Sequence, residues 1–140
     1  MVEEIKKGLT QKEINEKAVE MELLRQDMQK IDQQLVALET RKMQMHEVLE
    51  AIKTMKGGED ILIPLGPGFF VKGELKKGDK VLLGVGANIV LEKNIGEAER
   101  DIKKSIRELE KLERDMKSDL VKMSERMDDL QKMLIKYYGG

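Results

Sequence analysis

From Ile14 to Ile52 the apolar residues recur at alternating spacings of three and four: Ile14, Met21, Leu24, Met28, Ile31, Leu35, Leu38, Met45, Leu49 and Ile52. Lys17 and Lys42 are the only polar residues in that seam. A second seam reads Ile95, Ile102, Ile106, Leu109, Met116, Leu120, Met123, Met127, Leu130, Leu134 and Tyr137, with Glu99 and Glu113 as its polar members. Ten of twelve and eleven of thirteen seam positions are apolar, a persistence that marks coiled-coil helices rather than short surface helices. Two such seams around a compact middle predict an antiparallel coiled-coil hairpin.

Local signals set the boundaries. Thr10 and Glu13 have the spacing of a capping box, and no Gly or Pro interrupts the chain until Gly57-Gly58. The first helix is therefore expected over 10–56, with a length of about 65–70 Å at about 1.5 Å per residue. The middle reads as four short strands over 61–65, 69–75, 81–85 and 89–92. Gly66-Pro67-Gly68 is strong turn chemistry between the first two, and Gly86-Ala87-Asn88 turns between the last two. Pro64 marks the first strand as an edge or the site of a bulge. Val81-Leu82-Leu83-Gly84-Val85 is apolar on both faces, so it is expected to be buried on both. Asn94 and Glu97 repeat the cap spacing and open a second helix over 95–138. The expectation is one α+β unit spanning 1–140: a long antiparallel coiled-coil hairpin with two short β-hairpins (61–92) inserted between its helices.

Composition narrows the function classes. Aromatic residues make up 3% of the chain and charged residues 38%, and there is no Trp. Such a chain lacks the bulky residues of a large globular core and has the make-up of long helices. The two helix stripes and the apolar middle exceed what one copy can bury, so obligate association is expected. A net charge of −1 with interleaved signs argues against a nucleic-acid footprint. With no Cys, disulfides, thiolate metal sites and Cys nucleophiles are excluded. Met1 to Lys7 lacks the apolar run of a secretion signal, and the apolar stretch Ile61–Val71 is too short and broken to span a bilayer. A cytoplasmic protein is expected.

Candidate catalytic motifs have ordinary explanations. Gly73 and Gly78 match the start of a phosphate-binding loop, but Asp79 stands where Lys is required and a strand follows instead of a helix. Gly84 and Gly86 suggest a dinucleotide fingerprint whose third glycine position is Ile89. His46 is the only histidine and has no companion for a metal. The acidic pairs Glu59-Asp60 and Asp128-Asp129 read as solvated side chains among 27 carboxylates. No nucleophile–base–orienter set is present, so neither an enzyme nor a cofactor is expected. The last helical turns differ: Met133, Leu134, Ile135, Tyr137 and Tyr138 make this end apolar most of the way round. Either it is an exposed contact site or it packs against Ile5, Leu9 and Ile14 of the first helix.

The segment Leu65-Gly66-Pro67-Gly68-Phe69-Phe70-Val71-Lys72, with Asp79-Lys80-Val81-Leu82, Val85-Gly86-Ala87-Asn88 and Val90-Leu91-Glu92-Lys93, resembles the prefoldin family. The likeness covers nearly the whole chain and is strongest to the α-class subunit of archaeal prefoldin, because two hairpins separate the helices where the β-class has one. The resemblance implies a hetero-hexamer of two α-class and four β-class subunits, its hairpins joined into β-barrels on oligomerisation. It implies coiled-coil tips that hold unfolded proteins and deliver them to a group II chaperonin without ATP. Candidate client-binding residues are then Ile5, Leu9, Ile14, Met127, Met133, Ile135, Tyr137 and Tyr138. Candidate assembly residues are Ile61, Ile63, Leu65, Phe69, Val71, Val81, Leu83, Val85, Ile89 and Leu91. The alternative is a structural role, as a filament-forming paralogue of the same fold or a coiled-coil scaffold.

Overall fold

The computed structural model describes residues 10–76, 78 and 80–138. The elements run α1 (Gln11–Thr54), β1 (Asp60–Gly66), β2 (Phe69–Glu74), β3 (Lys80–Gly86), β4 (Ile89–Asn94) and α2 (Ile95–Tyr138). This is the α+β architecture expected from the two seams and the interrupted middle. The strands form two separate antiparallel sheets, β1-β2 and β3-β4, of two strands each.

Both helices start where their caps require. The Thr10 hydroxyl accepts from the Glu13 N–H at 3.2 Å, and the Asn94 side-chain oxygen accepts from the Glu97 N–H at 2.8 Å. Each satisfies a backbone donor that has no partner within its helix. The chain forms two compact units, Met1–Thr40 with Glu110–Gly140 and Arg41–Leu109.

In the first unit, Ile14, Leu38 and Leu130 are buried, with Leu130 fully enclosed. The seam residues Met21, Leu24, Met28, Ile31, Leu35, Met116, Leu120, Met123, Met127 and Leu134 are half-buried, as a two-helix interface with one open side requires. Across it the Glu20 carboxylate accepts from Arg126 at 2.8 and 3.2 Å. This half-exposed two-point pair favours the antiparallel register and holds the Glu20 carboxyl below its usual pKa.

In the second unit the core is Leu49, Ile52, Ala98 and Ile106. α1 stops at Thr54, two residues before the expected Lys56. The reason is Glu59, whose carboxylate accepts from the Lys56 N–H at 2.7 Å and the Gly57 N–H at 3.0 Å. Those bonds turn the chain out of the helix and hold the Glu59 carboxyl below its ordinary pKa. The Gly58 N–H donates to the Leu75 carbonyl at 2.7 Å, and the Leu75 N–H to the Glu59 carbonyl at 2.8 Å. The β1-β2 ladder therefore closes directly onto the end of α1.

The first hairpin pairs Ile61 with Gly73, Leu62 with Lys72 and Ile63 with Val71, and its register slips between Pro64 and Gly66. That bulge is the one Pro64 foretold. Gly73 leaves room for Ile63, since a Cβ there falls 2.9 Å from Ile63 Cδ1. The second hairpin pairs Leu82 with Glu92, Leu83 with Leu91 and Gly84 with Val90, with a similar slip before Gly86. Its turn places Ala87 at φ 50° and Asn88 at φ 62°. Positive φ at both central residues is the type I′ hairpin geometry, which suits Asn and Gly and penalises Ala.

Ala87→Gly is accordingly expected to stabilise the folded protein by about 0.5–1 kcal/mol, read from chemical denaturation at fixed protomer concentration; a loss of stability refutes the strained turn. Glu59→Gln is expected to destabilise at neutral pH. A lowered carboxyl pKa contributes stability above the ordinary Glu value of about 4.3 and loses it as pH falls through the lowered folded value. The gap in thermal midpoint between the two proteins should therefore close as pH falls from about 7 to about 3; a gap independent of pH contradicts this role for the carboxylate.

Candidate functional site

Each hairpin presents two faces, and the register shows which residues share them. On the first face of β1-β2 lie Ile61, Ile63, Val71 and Phe69, with Leu65 at the bulge. On the first face of β3-β4 lie Val81, Leu83, Leu91 and Ile89, with Val85 at the bulge. These ten are the assembly residues read from the sequence, so the structure brings them together on one face of each hairpin. Lys93 is the sole charged residue of those faces, and it reaches away to pair with Asp101 of α2. That bond holds the Asp101 carboxyl below its usual pKa.

The second faces were incompletely read. They carry Leu62, Pro64 and Phe70 on one hairpin and Leu82, Gly84 and Val90 on the other. Polar residues occupy their bases: Asp60, Lys72 and Glu74 on the first, Lys80, Glu92 and Asn94 on the second. Lys80 and Glu92 form an exposed cross-strand pair at 3.8 Å. The signal for Leu62, Phe70, Leu82 and Val90 was present in the unbroken apolar runs at 61–65, 69–71, 81–83 and 89–91.

The expectation that β3 is buried on both faces does not hold within one chain. Val81 is half-buried, but Leu82 is 74% exposed, and Leu83 and Val85 are exposed as well. The same is true of Leu65 and Phe69, at 70% and 72%. A two-stranded sheet has nothing stacked on either face, so apolarity on both sides calls for partners that this chain does not supply. Exposed apolar surface of this extent marks an interaction site.

The other candidate set lies in the first unit. Ile5 and Leu9 fall outside the described residues. Ile14, at 3% exposure, belongs to the seam and offers no free surface; an isoleucine at the first seam position faces the partner helix. Met127 is half-buried in the same seam. Met133 and Ile135 are exposed, Ile135 at 60%, because they stand off the seam. Tyr137 and Tyr138 lie in the last turn of α2, with their side chains outside the described set. Val19, Leu23, Val36, Leu112 and Val121 in the same unit are also exposed; Val19 and Leu23, four residues apart on α1, share one helix face off the seam.

The glycines that imitated nucleotide motifs have structural work. Gly73 makes room for Ile63 in β2, while Gly84 and Gly86 sit at the slip in β3. Among the described residues there is no group of three or more His, Asp or Glu side chains placed to hold a metal ion. No described helix is long and apolar enough to cross a membrane.

Known proteins share this arrangement. The family model described as prefoldin subunit matches residues 24–139. The prefoldin subunit alpha of Methanococcus aeolicus is 36% identical over 99 residues, covering 71% of this chain and 69% of that protein. Prefoldin subunit alpha 1 of Methanocaldococcus jannaschii is 30% identical over 122 residues, covering 87% and 85%. Among solved structures, a cryo-EM structure of filamentous PFD from Methanocaldococcus jannaschii aligns with a TM-score of 0.52 at 24% identity, over 85% of this chain and 95% of that one, and shares its fold. With two hairpins between its helices and α-subunit relatives across most of its length, the chain belongs to the prefoldin family of chaperones, as an archaeal α-class subunit.

Proposed function

We propose that this chain is a subunit of an ATP-independent holdase, which captures unfolded proteins at coiled-coil tips and passes them to a group II chaperonin. Two copies join four β-class subunits in a cytoplasmic hetero-hexamer, their hairpins closing into β-barrels. The observation that carries this reading is the exposed apolar surface of the hairpins, which calls for partners and belongs to a different unit from the apolar end of α2. One region is free to assemble the complex while the other engages clients.

Isolated two-stranded hairpins are marginal in water, and open strand edges invite pairing with other chains. Neighbouring hairpins cover the first faces and satisfy the edges together. We assign client contact to Met133 and Ile135, both exposed, and to Tyr137 and Tyr138; methionine is adaptable and suits clients that share no shape. Burying one such side chain is worth roughly 1.5–3 kcal/mol, so a single tip holds weakly. Several tips on one client gain through effective concentration. Release then follows from competition at the chaperonin, with no need for nucleotide.

Leu83→Asp is expected to leave helical content by circular dichroism nearly unchanged while removing the hexamer from the native mass spectrum of the protein co-expressed with a β-class partner. An intact hexamer contradicts assembly through this face, and an open-ended polymer of this chain alone supports the filament alternative. Removal of residues 133–140 is expected to preserve the hexamer but to raise several-fold the ratio of complex needed to suppress aggregation of an unfolding client. If the truncated complex assembles and protects at the wild-type ratio, the tip is not the client site.

A further inference from the structure

The second unit contains a groove of about 450 Å³ whose walls come from three places in the chain. α1 contributes Arg41, Met45, Val48 and Ile52; β3 contributes its residues 81–84. The N-terminal end of α2 closes it through Ala98 and Ile102, beside the Lys93–Asp101 pair.

Two features distinguish the groove from an ordinary gap between packed elements. Val48 is 47% exposed although it stands on a helix whose seam lies elsewhere. It shares the groove with the exposed Leu82 and Leu83, so the apolar surface of β3 continues without a break onto α1. The charge on the lining is also unbalanced. Lys93 is neutralised by Asp101, whereas Arg41 is exposed and has no hydrogen bond or ion pair among the described residues.

We propose that the assembly surface of this chain extends from the β3-β4 hairpin across this groove onto α1, and that a neighbouring subunit seats a segment there whose apolar side chains are flanked by a carboxylate that pairs with Arg41. This rests on the reading that the hairpins assemble with other prefoldin subunits. It adds that the helix base is part of the joint. Leu83 links the two regions, since it belongs both to the apolar face of β3 and to the groove wall. A partner placed on β3 therefore reaches Val48 and Arg41. The occupant is a subunit rather than a client, because the groove adjoins the hairpin face and belongs to a different unit from the tip. The joint gains direction as well as area. A partner gripping both the hairpin and α1 reinforces the orientation that the Asn94 cap and the Lys93–Asp101 pair already give β3-β4 at its base.

The test uses the full chain with its β-class partner. Val48→Asp and Arg41→Glu are compared with Leu83→Asp and with Val36→Ser, an exposed α1 position outside the groove. Subunit association is measured by native mass spectrometry and by titration at low and high salt, and circular dichroism checks folding. Val48→Asp is expected to weaken association about tenfold at both salt levels. Arg41→Glu is expected to weaken it about tenfold at low salt, slow association, and flatten the salt dependence, as loss of a charge at an interface rim does. Val36→Ser should match wild type. Val48→Ser provides a milder variant that keeps the groove testable if Val48→Asp misfolds.

If both groove variants assemble as wild type while Leu83→Asp does not, the extension is wrong and the hairpin reading stands. If Leu83→Asp also assembles, both fail. An effect of Val48→Asp without one of Arg41→Glu overturns the carboxylate partner, and loss of client holding with unchanged assembly overturns the subunit as occupant.

Discussion

A two-stranded β-hairpin has no inside, and this constraint governs the molecule. Each hairpin here is a sheet of two strands, so each has two uncovered faces and two open edges. A single copy therefore leaves Leu62, Leu65, Phe69, Phe70 and Leu82 in water. The helices do not resolve this, because their own seams are occupied with each other. What a globular domain settles by packing a further layer, this chain leaves to other subunits. The two-faced pattern also has a gradient. Polar residues gather at the helix-side bases of the second faces, and the first faces are apolar along their length except for Lys93. That asymmetry supports the proposal that assembly covers the first faces.

The coiled coil follows a different economy. Its seams are mostly half-buried, as expected when two helices share one interface and no third helix covers the groove beside it. Met21, Met28, Met45, Met116, Met123 and Met127 fill irregular gaps at such an interface better than branched residues do. The polar seam residues Lys17, Lys42, Glu99 and Glu113 are half-buried as well, and the Glu113 carboxylate accepts from Lys117 at 3.3 Å. Connectivity through the β block sets the direction, and the half-exposed two-point bond between Glu20 and Arg126 favours one register. The apolar seam alone tolerates sliding by a heptad, because one heptad of Leu, Ile and Met resembles the next.

Much of this was legible in the chain. The 3–4 spacing foretold both helices, Thr10 and Asn94 foretold their starts, and Pro64 foretold the bulge. In each case the governing interaction is local, within four residues, so the sequence displays it directly. The misses are non-local. α1 stops short because Glu59 reaches back to Lys56 and Gly57, and nothing in the run Lys56-Gly57-Gly58-Glu59-Asp60 says which carboxylate will do so. Ile14 was read both as the first seam position and as a tip residue; at 3% exposure it serves the seam, and periodicity alone does not say which of the two roles a residue near a helix end takes. The continuous apolar run of β3 was read as burial on both faces. Apolarity reports a demand for burial, which was already expected to be met by association; the structure adds which residues stay exposed within one chain.

The connections between helix and hairpin complete the design. At the end of α1, the Glu59 carboxylate and the Gly58–Leu75 bonds clamp the base of the first hairpin. At the start of α2, β4 runs into the helix without a spacer, with Asn94 capping and Lys93 tied to Asp101. Both hairpins are thus held at their bases by charged or polar groups that keep their geometry in water, and carry their apolar residues beyond those anchors. An anchor built from apolar packing would compete with the partner for the same surface and collapse the hairpin onto its own helices. Polar anchoring avoids that competition. It orients each sheet before assembly, so less ordering entropy is lost when subunits meet, and it leaves the apolar faces free for the one arrangement that covers them.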